Sequence, residues 1–508
     1  MTHWPVVPFL LPAATACALV LLSGNLRAQR LLSLASSILL TVVCVVLVRH
    51  AAGGDIAVYA MGAWPAHLGI VFVIDRLAAW MLLLTAVIAL ASLLHAVQGR
   101  DTSAAHFHPL FQFQIMGLNG AFLTGDLFNL FVCFELMLIA SYCLLQHGGG
   151  GARLKAGMHY VILNLVGSAL FLIAASLLYR VAGTLNLADL ARALPLASPT
   201  QLPWVHAAAA LLLVVFLLKA AIAPLHLWLP GTYAVVAGPV ATLFPMLTKV
   251  GAYAVLRVTT LVFGGSPAAG PLQSVVLPLA LATVAIAALG ALASRSLKPL
   301  AAWLALGSTA MLLVAFGLFN ADGIGAGLFY LPASTLAISA LFVLADRITE
   351  ARGVHADRLC RAPAMPGAGP LGVLLLLVAM ALLGLPPLVG FIGKLLILRG
   401  AQGMPWVWGV VLVASLLQLV AVARAGVRLF WAVTDEPPAA NAVALWRLAP
   451  VIGLLIGVAL LSVFAAPAER YARLAAEQVL APADYIGAVL GRDALMPSVL
   501  QAGVGIRP

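Results

Sequence analysis

Long apolar runs, separated by short polar or glycine- and proline-rich pieces, recur along almost the whole chain. Residues 6–22, 31–48, 77–94, 161–178, 207–218 and 371–383 are examples. The runs are continuous, whereas a membrane barrel strand alternates with a period of two. Inside a bilayer each backbone amide must be satisfied within its own segment, which selects helix. A span needs ~20 residues, and weakly polar flanks complete the shorter runs. The pattern predicts an all-α, polytopic membrane protein of about fourteen transmembrane helices. Only Met1-Thr2-His3-Trp4 precedes the first run, with no basic leader, so that run reads as a retained helix.

Two stretches interrupt the pattern, 347–369 and 434–447, and both read as loops. The tail 467–508 carries mixed charge. Tyr471, Leu474, Ala475, Val479 and Leu480 recur there at helical spacing. This predicts a short amphipathic helix lying on the membrane surface or on a partner, with a plain solvated tail as the alternative.

Composition supports the membrane reading. Of 508 residues, 64% are hydrophobic and 8% charged, against roughly 25% charged in a soluble domain. The net charge of +11 would otherwise suggest nucleic acid. Its distribution argues for topology instead. With the first helix entering from outside, inner loops are expected to hold Arg27, Arg30, Arg100, Arg153, Lys155, Arg295, Lys298, Arg347, Arg352, Arg358, Arg361 and Arg447, and outer loops few. The five cysteines show no CxxC or metal-ligand spacing, and no nucleotide loop, flavin or quinone fingerprint is present. No cofactor or metal is expected.

Four charges stand inside apolar sequence: Glu135 in LFNLFVCFELMLIASYCLL, Lys219 in LLLVVFLLKAAIAPLHLWLP, Lys249 in LFPMLTKVGAYAVL and Lys394 in LLGLPPLVGFIGKLLIL. Each costs about 2.5–3.5 kcal/mol at the middle of a span unless it is paired or faces water. One carboxylate cannot neutralise three lysines, so the set reads as a path for protons or cations. A buried lysine can exchange its proton where an arginine cannot. Glu135 is expected to pair with Lys219 and tune it. Prolines sharpen the reading. Pro224, five residues after Lys219, removes the backbone bond to the Ala220 carbonyl. Pro386 and Pro387, just before Lys394, release the carbonyls of Leu382 and Leu383. Broken helices at membrane depth belong where they line a cavity. His226 lies two turns beyond Lys219; it either extends the path or bonds backbone freed at the break. Asp126 reads as an N-cap and Asp75-Arg76 as an adjacent ion pair or an interface anchor. His159 is expected to pack.

Three blocks closely resemble a known family: HPLFQFQIMGLNGAFLTGDLFNLFVCFELMLIASY (108–142), LLKAAIAPLHLWLPGTYAVVAGPVATLFPMLTKVGAYAVLR (217–257) and GLPPLVGFIGKLLIL (384–398). They resemble the antiporter-like subunits shared by respiratory complex I and the Mrp-type cation/proton antiporters. The first block, with HGGGGARLKAGMHYVILNLVGS (147–168), is most similar to the D-type subunits of the Mrp family, including the potassium-linked form. The resemblance implies fourteen helices with two inverted five-helix repeats and broken helices seven and twelve. It divides the chain into 1–106 (helices 1–3), 107–262 (first repeat, helices 4–8), 272–432 (second repeat, helices 9–13) and 448–508 (helix 14 and the tail). It places Glu135, Lys219, Lys249 and Lys394 in a proton relay of a sodium- or potassium-linked antiporter in a bacterial inner membrane, a transporter and not an enzyme. The alternative it leaves open is a proton-pumping subunit of complex I or of a membrane-bound hydrogenase. Expected partners are the other subunits of a hetero-oligomeric complex, and lipid. One departure stands out. Many relatives carry a histidine or lysine in helix eleven, where this chain has FYLPASTLAIS (329–339), with Ser334, Thr335 and Ser339. A hydroxyl-and-water bridge between Lys249 and Lys394 is the expectation there.

Overall fold

The computed structural model describes residues 3–66, 68–435, 437 and 442–491. They form a helical bundle. In chain order the helices are α1 (Val7–Leu21), α2 (Leu26–Ala52), α3 (Arg76–Ala96), α4 (Phe107–Leu123), α5 (Leu127–Gln146), α6 (Gly151–Ala182), α7 (Leu187–Ala193), α8 (Leu202–Lys219), α9 (Trp228–Val235) and α10 (Gly238–Leu243). There follow α11 (Pro245–Arg257), α12 (Ala269–Ala293), α13 (Leu297–Phe316), α14 (Ala321–Ala351), α15 (Ala368–Leu383), α16 (Val389–Gly400), α17 (Pro405–Phe430), α18 (Ala449–Val463), α19 (Ala465–Leu480) and α20 (Ala483–Leu490). Among the described residues twelve helical segments are long and apolar enough to cross a membrane. Segment Gly238–Val262, which contains α10 and α11, and helix α14 are buried along their whole apolar length. A helix that is apolar all round belongs in the interior of a bundle. α14 takes that place, packing against α13, α15, α16, α18 and α19.

Two helices are broken where the prolines predict. α8 stops at Lys219, and α9 resumes after a 3₁₀ turn at Leu225–Leu227. α15 stops at Leu383, and α16 starts at Val389.

The loops add two small sheets that the apolar pattern did not predict. β1 (Ala57–Ala60) pairs antiparallel with β2 (Val71–Ile74), and β3 (Ala362–Pro363) pairs parallel with β4 (Val433–Thr434). The stretch 347–369 is not all loop. α14 runs on to Ala351 and buries Asp346 and Arg347. At that end the basic loops meet acidic partners. Arg30 pairs with Asp101 at 2.7 Å, Arg100 with Asp346 at 2.9 Å and Lys298 with Asp346 at 3.5 Å.

The amphipathic tail helix forms as α19, and its apolar face packs on the bundle of its own chain. Ala472, Ala475, Ala476 and Val479 are buried against α14 and α3 of the same chain. Tyr471 stacks at 5.1 Å on Trp80 and donates to the Arg76 carbonyl. A stripe of alanines lets this helix lie close. Residues 492–508 of the predicted tail lie outside the described residues.

Candidate functional site

Lys219 ends α8 because the chain cannot continue as helix into the Ala223-Pro224 bond. The carbonyls left free by the break find other donors. The Trp228 indole donates to Leu218 at 3.0 Å, and the Ile222 amide donates to Leu217. The alternative in which His226 bonds freed backbone is therefore taken by Trp228. His226 itself is buried 6.2 Å from the Trp303 ring, and its Nδ1 has no partner among the described residues. Gly251 of α11 lies directly against the break. A Cβ there would stand 2.4 Å from the Ala220 nitrogen. Only a glycine lets the helix of Lys249 touch the backbone of Lys219.

The Lys219 ammonium is 4% exposed and donates to Asn164 Oδ1 at 3.0 Å. It does not form an ion pair with Glu135, contrary to the direct contact expected from the sequence. Between them stands α6. Asn164 faces Lys219, and one turn on Ser168 donates to the half-buried Glu135 carboxylate. Ser168 also lies 3.0 Å from the Asn164 carbonyl. Two polar residues four apart share one helix face, so α6 sets neutral polar side chains between the carboxylate and the ammonium. Sequence reading passed over both. Their signal was a polar i, i+4 pair inside YVILNLVGS.

Lys249 is 1% exposed and donates to Ser308 Oγ at 3.2 Å and to Thr309 Oγ1 at 2.8 Å, both on α13. Thr309 in turn lies 2.9 Å from Thr248. Lys394 is 8% exposed and donates to the Leu383 carbonyl at 2.8 Å, a group the proline pair was expected to release. Its second contact is Ser415 Oγ at 3.4 Å. Close approach at this break rests on Gly390, where a Cβ would meet the Ala381 carbonyl oxygen at 2.1 Å.

A small cavity of about 10 Å³, room for about one water, lies beside Lys394. Lys394, Ser415, Gln418, Tyr330 and Ser308 line it. Ser308 also accepts from Lys249, so one hydroxyl touches both the Lys249 ammonium and the Lys394 cavity. The bridge expected from helix eleven is thus built mainly by α13. Of the α14 hydroxyls, Thr335 and Ser334 bond the Leu331 carbonyl of their own helix and Ser339 bonds the Thr242 carbonyl. The Tyr330 hydroxyl of α14 faces Ser308 and Ser334.

Other residues singled out in the sequence stand apart. Asp126 caps α5, accepting from the Asn129 amide at 2.7 Å. Asp75 pairs not with adjacent Arg76 but with buried Arg257 at 2.6 Å, whose guanidinium lies between the Tyr253 and Tyr485 rings. His159 is exposed on α6 and does not pack. In the turn after α3, burial pushes Asp101 up. Hydrogen bonds from His108 and Arg30, with the Arg30 charge, outweigh it and hold the carboxyl at about 2.

Residues 124–418 match the NADH:quinone oxidoreductase/Mrp antiporter transmembrane family. The chain belongs to that family. The match contains Glu135 and all three lysines. The family member from Rhizobium meliloti, described as the D component of a probable K(+)/H(+) antiporter, is 41% identical, over 96% of this chain and 98% of its own length. The D component of the Na(+)/H(+) antiporter of Bacillus subtilis is 34% identical, over 96% and 100%. Among solved structures, a chain of the Mrp complex from Dietzia sp. superposes with a TM-score of 0.88 at 27% identity, covering 97% of this chain and all of that one. A chain of respiratory complex I from Thermus thermophilus reaches 0.80 at 25% identity, over 96% and 100%.

Proposed function

We propose that this chain is the D-type, proton-conducting subunit of a multisubunit monovalent cation/proton antiporter in a bacterial inner membrane, a transporter subunit and not an enzyme. The observation that carries the reading is the bonding of the three lysines. Among the described residues none forms a salt bridge. Each ammonium is held by neutral oxygens: Asn164 for Lys219, Ser308 and Thr309 for Lys249, Leu383 and Ser415 for Lys394. A scaffold that had kept buried charges for packing would have paired them, because a lone buried charge is costly. Neutral acceptors hold an ammonium while it is charged and release it when it gives up its proton.

Glu135 reaches Lys219 through Ser168 and Asn164, and Lys249 reaches Lys394 through Ser308 and the cavity. His226, just past the first break, serves as the branch toward the basic end. Counting α4 and the broken α15–α16 pair as crossings brings the twelve apolar segments to fourteen. The four divisions at 1–106, 107–262, 272–432 and 448–508 then hold one broken helix in each repeat. The basic end faces the cytoplasm by the charge asymmetry of the loops. The higher identity to the D components of antiporters, 41% and 34% against 25% for the complex I chain, favours this reading over a complex I pump. Sodium or potassium leaves in exchange, and lipid and the remaining subunits complete the complex.

The test is ion exchange by vesicles carrying the complete complex, with sodium and potassium supplied separately. Wild type should alkalinise or acidify the lumen on addition of one of them, and Glu135→Gln should abolish the signal at wild-type abundance. Exchange unaffected by Glu135→Gln at every pH would refute the relay.

A further inference from the structure

The lysine file leaves unused a deeply buried charged cluster at the basic end. His95, on the last turn of α3, is fully buried. Its Nε2 lies 3.2 Å from Asp346 Oδ2 of α14, itself 5% exposed. Its Nδ1 has no hydrogen-bond partner among the described residues. A buried ring nitrogen left without a partner costs ~1–3 kcal/mol, and such atoms in native structures call for a water or a function. The same carboxylate takes Arg100 at 2.9 Å and Lys298 at 3.5 Å, whose side chains reach the outer rim of the bundle. Arg347, Glu350 and Arg447 complete the charges around it. α10, packed on the other side, brings no titratable group.

From this pair a polar seam leads inward. Gly238 presses on both members; a Cβ there would stand 2.7 Å from the His95 ring and from the Asp346 carboxyl carbon. One turn on, Thr242 donates to the Gly238 carbonyl at 2.9 Å. Ser339, two turns from Asp346 on the same face of α14, donates to the Thr242 carbonyl at 2.8 Å. Lys249 follows Thr242 by seven residues, about 10 Å of helix.

We propose that the His95–Asp346 pair is the proton-exchange station that serves Lys249 from the basic end. The inference rests on the lysine-relay reading above. The imidazole takes a proton at one nitrogen and releases one from the other, so nothing is consumed and the ring returns by exchanging its tautomer. Asp346 stabilises the imidazolium in between, and the seam of Ser339, Thr242 and bound water carries the proton to Lys249.

The test uses vesicles carrying the complete complex, with pH set independently on the basic-end side. His95→Gln keeps an N–H toward Asp346 and cannot titrate. It should lower exchange on the order of 10²-fold and move the pH profile toward acid. His95→Ala should lose exchange likewise and recover it when imidazole is added on the basic-end side alone. Wild-type rate and profile in His95→Gln would overturn the proposal. So would failure of both variants to accumulate, which would assign the pair to assembly. Lys249→Leu separates the two readings. If it is inactive while His95→Gln is normal, only the station falls; if both are active, the lysine relay falls with it.

Discussion

Asn164→Asp changes one atom group and almost no volume, yet it places a carboxylate 3.0 Å from the Lys219 ammonium where a neutral amide oxygen now sits. Two unit charges at that distance attract by about 5.5 kcal/mol at an effective dielectric of about 20. The amide bond it replaces is worth about 1.5–3 kcal/mol, as hydrogen bonds to charged groups are. After that subtraction the ammonium is held more tightly by about 3 kcal/mol, or on the order of 10²-fold. The protein should accumulate at wild-type level, since the new pair satisfies the buried lysine better than before. Exchange should fall by that same factor, because Lys219 no longer gives up its proton. The assay is cation-driven proton movement in vesicles, normalised to the amount of this chain in the membrane. Wild-type exchange in Asn164→Asp at every pH tested would refute the idea that Lys219 must release a proton.

Glu135→Gln/Lys219→Leu should show coupling in membrane abundance of only ~1 kcal/mol or less, since α6 separates the two groups and neither has a direct ion pair to lose; immunodetection of the singles and the double measures it, and exchange stays lost in all three. Gly251→Ala forces a methyl to within 2.4 Å of backbone at the Lys219 break, so exchange should fall and thermal stability of the purified complex should drop by at least about 1–3 kcal/mol-equivalent. Asp101 is held at about 2, below its ordinary value near 3.9, so its contribution of about 2 kcal/mol is present above pH ~4 and lost as pH falls through ~2. Asp101→Asn should therefore destabilise the complex at pH 7 and make little difference at pH ~2, read by thermal melts at both.

Much of the site was legible because it is expensive. A charge within twenty apolar residues announces itself by insertion cost, and that cost alone marked Glu135, Lys219, Lys249 and Lys394. Proline chemistry marked the two breaks, and even the carbonyl that Lys394 occupies, Leu383. What stayed hidden was the neutral half of each contact. Asn164, Ser168, Ser308 and Thr309 cost little in a span, so nothing in their own segments sets them apart. Their role depends on which helices are neighbours. The same holds for Arg257, which meets Asp75 across 182 positions of sequence. Asp346 and Arg347 were concealed in another way. Arg347 opens a polar stretch read as loop that in fact begins with the last turn of α14, Asp346 stands just before it, and the burial of both follows from packing between helices, which no local pattern reports. The tail helix was legible as amphipathic, but not its seat, because an alanine stripe fits a lipid surface, a partner or its own bundle.

The central claim is that these lysines carry protons and do not merely hold charge. Replacing Lys394 by alanine and, separately, by arginine tests it most directly, in vesicles bearing the complete complex. Arginine keeps the charge and the capacity to bond Leu383 but does not release its proton. The account predicts that both variants reach the membrane and neither exchanges cations for protons. Wild-type exchange in Lys394→Arg would contradict it and leave the buried lysines as fixed charges.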